Sequence, residues 1–191
     1  ITVNGNITLY AIWGPVPQTT TVTYKPGVGG TGADQTFENL IINGTITLID
    51  NPFTPIEDYT FVGWKNATDG QIYQPGDVLQ VDANAEGTNN ILTAQWTRRI
   101  VAQKIWSGGS DPRPDVWFRL YRKVGTTGIG EPVPGLSPNP VQLPQPTGTS
   151  ASVEWTGLSA TNTNDEPYIY YVEEVDAEGN PATTPGYRMT I

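Results

Sequence analysis

Ile100-Val101-Ala102-Gln103-Lys104-Ile105-Trp106 reads as a β-strand, because β-branched and aromatic residues dominate it and turn residues bound it. Side chains alternate across a strand, so Ile100, Ala102, Lys104 and Trp106 share one face. A second run, Tyr168-Ile169-Tyr170-Tyr171-Val172-Glu173-Glu174-Val175, has the same character and sets Glu174 on one face with Tyr170 and Val172. Each ionisable group is thus in register with apolar partners, which aims it at a core. A lone buried charge is expensive, so such groups pair or become neutral. The alternative is an exposed strand edge from which both side chains snorkel to water. Glu173 has the opposite parity and faces away from Val172, so Glu174 is the preferred acid.

Working outward, the remaining strands are also legible and no stretch sustains a helical period. Candidate strands cover 20–24, 59–64, 90–96, 99–106, 115–122, 151–156 and 168–175, with a last one starting at Tyr187. Asn43-Gly44 between two apolar runs predicts a hairpin over 40–48 with a type I′ turn. Gln74-Pro75-Gly76-Asp77 predicts a turn. Asp34 to Asn39 is expected to form a short helical turn. The proline- and glycine-rich stretch 124–148 is long enough to be a mobile loop.

Composition narrows the chemistry. The 191 residues suffice for one large or two small domains, and the absence of cysteine removes disulfides and thiolate sites. Without histidine the commonest general base and metal ligand is missing. The net charge of −9 argues against nucleic acid and anionic membrane partners. No apolar run suits a membrane helix or signal peptide, and the chain begins and stops mid-pattern, as a piece of a longer protein would. Charge divides unevenly: residues 1–97 hold two basic and nine acidic side chains, residues 98–191 eight and ten. That shift at Thr97-Arg98-Arg99 hints at a boundary.

Asn6-Ile7-Thr8-Leu9-Tyr10-Ala11-Ile12-Trp13 echoes Asn89-Asn90-Ile91-Leu92-Thr93-Ala94-Gln95-Trp96. Residues 1–13 therefore read as the tail strands of one repeat, 14–19 as a proline-stiffened linker, and 20–97 as a complete second copy. Tyr24, Pro55, Tyr59-Thr60-Phe61-Val62-Gly63-Trp64, Asp69-Gly70, Tyr73, Gly76 and Leu92-Thr93-Ala94-Gln95-Trp96 resemble the Listeria–Bacteroides (internalin B-type) repeat of bacterial surface proteins. The resemblance implies a small β-grasp-like module in which Trp13, Trp64 and Trp96 are core residues.

A second set of motifs follows: Lys104-Ile105-Trp106, Arg113-Pro114-Asp115-Val116-Trp117-Phe118-Arg119-Leu120-Tyr121, Val153-Glu154-Trp155, Tyr170-Tyr171-Val172-Glu173-Glu174 and Gly186-Tyr187. In that order they resemble the collagen-adhesin B-type (Cna-B) domain over 98–191, with its last strand missing. The resemblance implies an immunoglobulin-like β-sandwich and hence a mainly β chain. It also implies an internal isopeptide bond, with Lys104 as nucleophile and Glu174 as the assisting acid. Burial favours a neutral amine, which is nucleophilic, and a protonated carboxyl, which can polarise the accepting amide. No cofactor or metal is needed. In the family the accepting asparagine follows the Gly-Tyr motif on the last strand. No Asn or Asp follows Gly186 here, so the acceptor is expected beyond Ile191, with Asn162 or Asn164 as alternatives outside the family pattern.

Other motifs carry less. Asp82-Ala83-Asn84-Ala85-Glu86 lacks the glycine and terminal glutamate of a calcium loop, and reads as a solvated acidic loop. Gly27-Val28-Gly29-Gly30-Thr31-Gly32 lacks the Lys-Ser/Thr ending of a phosphate loop. Glu57 and Asp58 are adjacent and point apart, unlike a glycosidase pair. Asn6, Asn43 and Asn66 head glycosylation patterns without meaning in a bacterial protein. The expected role is a non-catalytic stalk of an extracellular, wall-attached surface protein, whose partners are its neighbouring domains. The competing roles are a host matrix protein or glycan binder, with Trp117, Tyr121 or Tyr73 as a stacking platform, and an accessory module of a secreted hydrolase.

Overall fold

The computed structural model describes residues 14, 16–83, 90–109, 112–145 and 148–181. The tail strands at 1–13, with Trp13, and the strand expected from Tyr187 lie outside those residues, as do residues 84–86 of the acidic loop. The described chain is all β, with no helix. Its first strands are β1 (Thr19–Lys25), β2 (Gly30–Thr31), β3 (Gln35–Ile41), β4 (Thr45–Thr47) and β5 (Thr54–Pro55). They are followed by β6 (Tyr59–Asn66), β7 (Ile72–Tyr73), β8 (Val78–Gln80) and the 15-residue β9 (Ile91–Ile105). The last are β10 (Trp117–Val124), β11 (Glu131–Pro132), β12 (Val141–Gln142), β13 (Ser150–Ser159) and β14 (Tyr168–Val175).

A mixed sheet runs β3-β1-β9-β6-β7, with β1 and β9 parallel at its centre. Its core face gathers Val22 and Tyr24 from β1, Trp64 from β6, and Leu92, Ala94 and Trp96 from β9. Trp64 is fully buried; it meets Tyr24, Phe61 and Phe53 edge-on, and its indole N–H donates to the Ile49 carbonyl at 2.9 Å. Such edge-to-face clusters bury much apolar area and still satisfy the one polar atom. The second core lies between two facing layers. One is β9 with β13; the other is β10 flanked by β14 on one edge and by β11 and β12 on the other. Ile100, Ala102, Phe118, Leu120, Trp155 and Val172 fill the space between them, as an immunoglobulin-like sandwich requires.

Three expectations are corrected. Residues 34–39 form no helical turn: Gln35–Ile41 is strand β3, antiparallel to β1, because Thr36, Phe37 and Leu40 have partners along that edge. Asn43-Gly44 makes no hairpin. Asn43 alone takes positive φ (63°), and the turn sends the chain out of the sheet so that β4 pairs with β8. The stretch expected to be a mobile loop is pinned over 131–142, since β11 and β12 both pair with β10, and Asn139 Oδ1 accepts from Leu120 N at 3.1 Å. The expected turn at Gln74-Pro75-Gly76-Asp77 is present: Asp77 N donates to the Gln74 carbonyl at 3.1 Å, and Gly76 holds φ at 89°.

The strands expected at 90–96 and 99–106 are one strand. β9 passes through Thr97-Arg98-Arg99 without a break, and even-numbered side chains face inward from Leu92 to Lys104. At Arg98 it is flanked on both edges, by Tyr59 of β6 and Leu158 of β13. Arg99 bridges Glu154 at 2.7 Å and Asp58 at 3.3 Å. Lys65 donates to Asp165 at 2.8 Å, and Ala160, at the exit of β13, is buried in the first core cluster. These ion pairs are half-exposed and each contributes little; the shared strand and the apolar contact hold the joint.

Tyr170 ties β14 to β13 by donating its hydroxyl to the Ser159 carbonyl at 2.8 Å. Burial pushes its phenol up to about 12. A folded value above the unfolded one gives stability that is complete below pH ~10 and disappears as pH rises through about 12. Tyr24 and Tyr73 are also shifted upward, so the late part of the phenolate absorbance should shrink in Tyr170→Phe without vanishing, and the alkaline loss of stability should be smaller in that variant. Equal losses in both proteins would remove Tyr170 as its source.

Candidate functional site

Strand parity places Lys104 inside the sandwich, where only 5% of the side chain is exposed. Its buried neighbours of the same parity are Ala102 on β9 and Trp106 just past the strand's end. Across the sandwich Glu174 stands on β14, in register with Phe118 of β10, and 20% of its side chain is exposed. Lys104 Nζ donates to Glu174 Oε2 at 2.6 Å. This charge-assisted contact joins the two facing sheets, since one partner comes from each layer. Glu173 is exposed and lies in register with Arg119 on the outer face, as its parity predicts. The indole N–H of Trp106, also buried, has no hydrogen-bond partner among the described residues.

Chemically the site is an amine and a carboxyl held in contact on two rigid strands, in a core that excludes most water. Preorganisation of this kind supplies the high effective molarity that an intramolecular condensation needs.

Asn162 and Asn164 lie elsewhere. Ala160 N donates to the Trp96 carbonyl, so the turn after β13 sits beside residue 96 of β9. From 96 to 104 is eight residues of extended strand, roughly 26 Å. Asn162 is also committed locally: its Oδ1 accepts from Asn164 N and Glu166 N, and its Nδ2 donates to Glu166 Oε2 at 2.7 Å. Neither asparagine can serve Lys104.

The aromatic candidates do not make one surface. Tyr73 is on β7 of the mixed sheet, packed against the first core with its hydroxyl on Asp69 at 2.6 Å. Trp117 and Tyr121 are on β10, where Tyr121 stacks on Tyr171 at 5.2 Å. The glycine-rich stretch 27–32 wraps the Trp96 ring, whose indole N–H donates to the Pro26 carbonyl at 2.7 Å. Asp58 contributes its carbonyl to Arg99 N and its carboxylate to the Arg99 guanidinium. Asp82 is bracketed by the Asn90 amide, which accepts from its N–H and donates to its carbonyl. Sequence reading missed that single bracket and the Trp96 seat, because both depend on non-local closure of the sheet.

The chain is 26% identical over 101 residues to a collagen adhesin of Staphylococcus aureus, an alignment covering 51% of this chain and 8% of that protein. No family model and no solved structure matches. The similarity fits a Cna-type, adhesin-like module over half of the chain. No helix among the described residues is long and apolar enough to cross a membrane.

Proposed function

We propose that this chain is a non-catalytic stalk segment of a bacterial cell-surface adhesin, with modules at 20–97 and 98–191 acting as one rod. The observation that supports it most is β9, a single strand that enters both cores and is paired on both edges at the joint. A spacer built this way resists bending because no flexible linker separates its units. The first module is the internalin B-type repeat of the sequence reading, the second the Cna-B-like sandwich. The likeness to a collagen adhesin supports an extracellular, surface-attached parent whose distal partner is a host matrix protein. Neighbouring domains of the same protein are the direct partners of this segment, and no cofactor takes part.

Within the second module, Lys104 forms an intramolecular isopeptide bond with an asparagine or aspartate on the closing strand, assisted by Glu174. The amine nitrogen attacks the side-chain carbonyl carbon, one C–N bond forms, and ammonia (from Asn) or water (from Asp) leaves with the protons relayed by Glu174. The contact between Lys104 Nζ and Glu174 Oε2 supports this assignment. The test is the denatured intact mass of the chain extended past Ile191, beside its Lys104→Ala variant. The expected result is an extended protein lighter than its sequence by one ammonia or one water and a variant of full mass. A full-mass parent would leave Lys104 and Glu174 as an ordinary ion pair.

A further inference from the structure

A cleft of about 690 Å³ opens where the uncovered face of the mixed sheet meets the end of the sandwich. One wall is β6, β7 and β9, bearing Val62, Ile72, Gln95 and Thr97; the other is the exit of β13 and the start of β14, with Ser159 and Tyr168. We propose that this cleft is a binding site for a neutral oligosaccharide, a function additional to the spacer role and independent of it.

Three observations choose the ligand chemistry. First, the cations at the cleft are already neutralised. Lys65 donates to both oxygens of Asp165 at 2.8 and 2.9 Å and to the Thr163 carbonyl at 3.3 Å. Arg122 pairs with Glu131 at 2.9 Å and lies over the Tyr168 ring at 4.5 Å. An anionic ligand would break these pairs or enter unpaired against a chain of net charge −9. Second, the polar groups left over are hydroxyls and an amide. Thr97, Ser159 and Thr161 have no side-chain hydrogen bond among the described residues, and Gln95 makes one long contact, 3.4 Å to the Thr93 carbonyl. Hydroxyls and amides both donate and accept, which matches sugar hydroxyls group for group. Third, Val62 and Ile72 leave 37% and 51% of their surface exposed on one wall, opposite the Tyr168 ring. Apolar patches of that size suit the C–H faces of a pyranose, while an open cleft of ligand-site volume suits a chain of sugars over a single ring.

The experiment is an amide-shift titration of the intact chain with cello-, chito-, manno- and galacto-oligosaccharides, beside hyaluronan fragments and sialylated oligosaccharides. Gln95→Ala and Ile72→Ala are titrated in parallel, with Gln103→Ala, exposed elsewhere on β9, as the control. One neutral class should shift amides at 95–97 and 159–163, bind the control unchanged, and lose at least tenfold in affinity in both cleft variants. Binding of acidic sugars alone, no shift with any neutral sugar at millimolar concentration, or affinity untouched by the cleft variants would each overturn the proposal. Mass spectrometry of the Lys104 crosslink is unaffected by any of these results.

Discussion

Glu174→Ala should lower the unfolding free energy by about 3 kcal/mol, the lower end of the cost of removing one partner from a buried pair. The reasoning is an asymmetry. Alanine leaves the Lys104 ammonium, 5% exposed, among Ala102, Trp106 and Phe118 with its carboxylate gone. The ammonium then loses the carboxylate that stood 2.6 Å from it, in a mostly apolar surrounding where that loss is costly. Glu174 keeps 20% of its side chain in contact with solvent, so water reaching its place offsets part of the loss. Lys104→Met removes the charge and keeps the stem's volume, so it should cost less than about 1 kcal/mol. Urea denaturation with an unchanged slope reads both. If Glu174→Ala costs no more than a surface pair, the site is wetter than its burial implies. In the extended chain both variants should also lose the covalent tie, Lys104→Met because the nucleophile is gone and Glu174→Ala because the proton relay is.

Sequence reading reached this pair because strand parity is a local property. Lys104 is inward for the same reason as Ile100 and Ala102, and Glu174 for the same reason as Val172. The mainly β class and most strand positions were legible on the same grounds. What alternation cannot tell is which strand lies beside which. Asn43-Gly44 has the composition of a hairpin turn, yet β3 finds its partner in β1 and β4 finds its partner in β8. Charge composition hinted at a boundary at Thr97-Arg98-Arg99, and there the strand runs on while Arg99 reaches Asp58 on one side and Glu154 on the other. Polar residues in a long strand therefore mark where it leaves one core for the next, and the backbone continues beneath them. The cleft was invisible for a related reason, since its walls come from strands remote in sequence.

Trp96→Ala should cost about 3–5 kcal/mol, the range for truncating a buried large aromatic. The ring is 4% exposed, meets Phe61 edge-on at 5.6 Å and anchors the Pro26 carbonyl. Two of the glycines that follow Pro26, Gly29 and Gly30, are explained by that ring, and Gly27 is not. Gly27 holds φ at 64°, and an added Cβ would overlap the Ala94 carbonyl oxygen, a backbone atom. An added Cβ at Gly30 would instead run into the six-membered ring of Trp96, with the Pro26 oxygen 2.8 Å away. Gly27 and Gly30 should then behave differently in a double-mutant cycle. Gly27→Ala should remain destabilising in a Trp96→Ala background, because its clash and its backbone strain do not involve the indole. Gly30→Ala should cost about 1–3 kcal/mol in the parent, as overpacking does, and markedly less once the ring is gone. A Gly30→Ala cost that is equal in both backgrounds would mean that the glycine-rich stretch is needed for its own turn geometry and not for seating Trp96. The distinction bears on the joint, because the carbonyl of Trp96 is the atom that receives Ala160 N from the second module. Loosening the ring should therefore loosen the joint, and amide exchange at Ala160 should rise in Trp96→Ala before exchange in the sandwich core does.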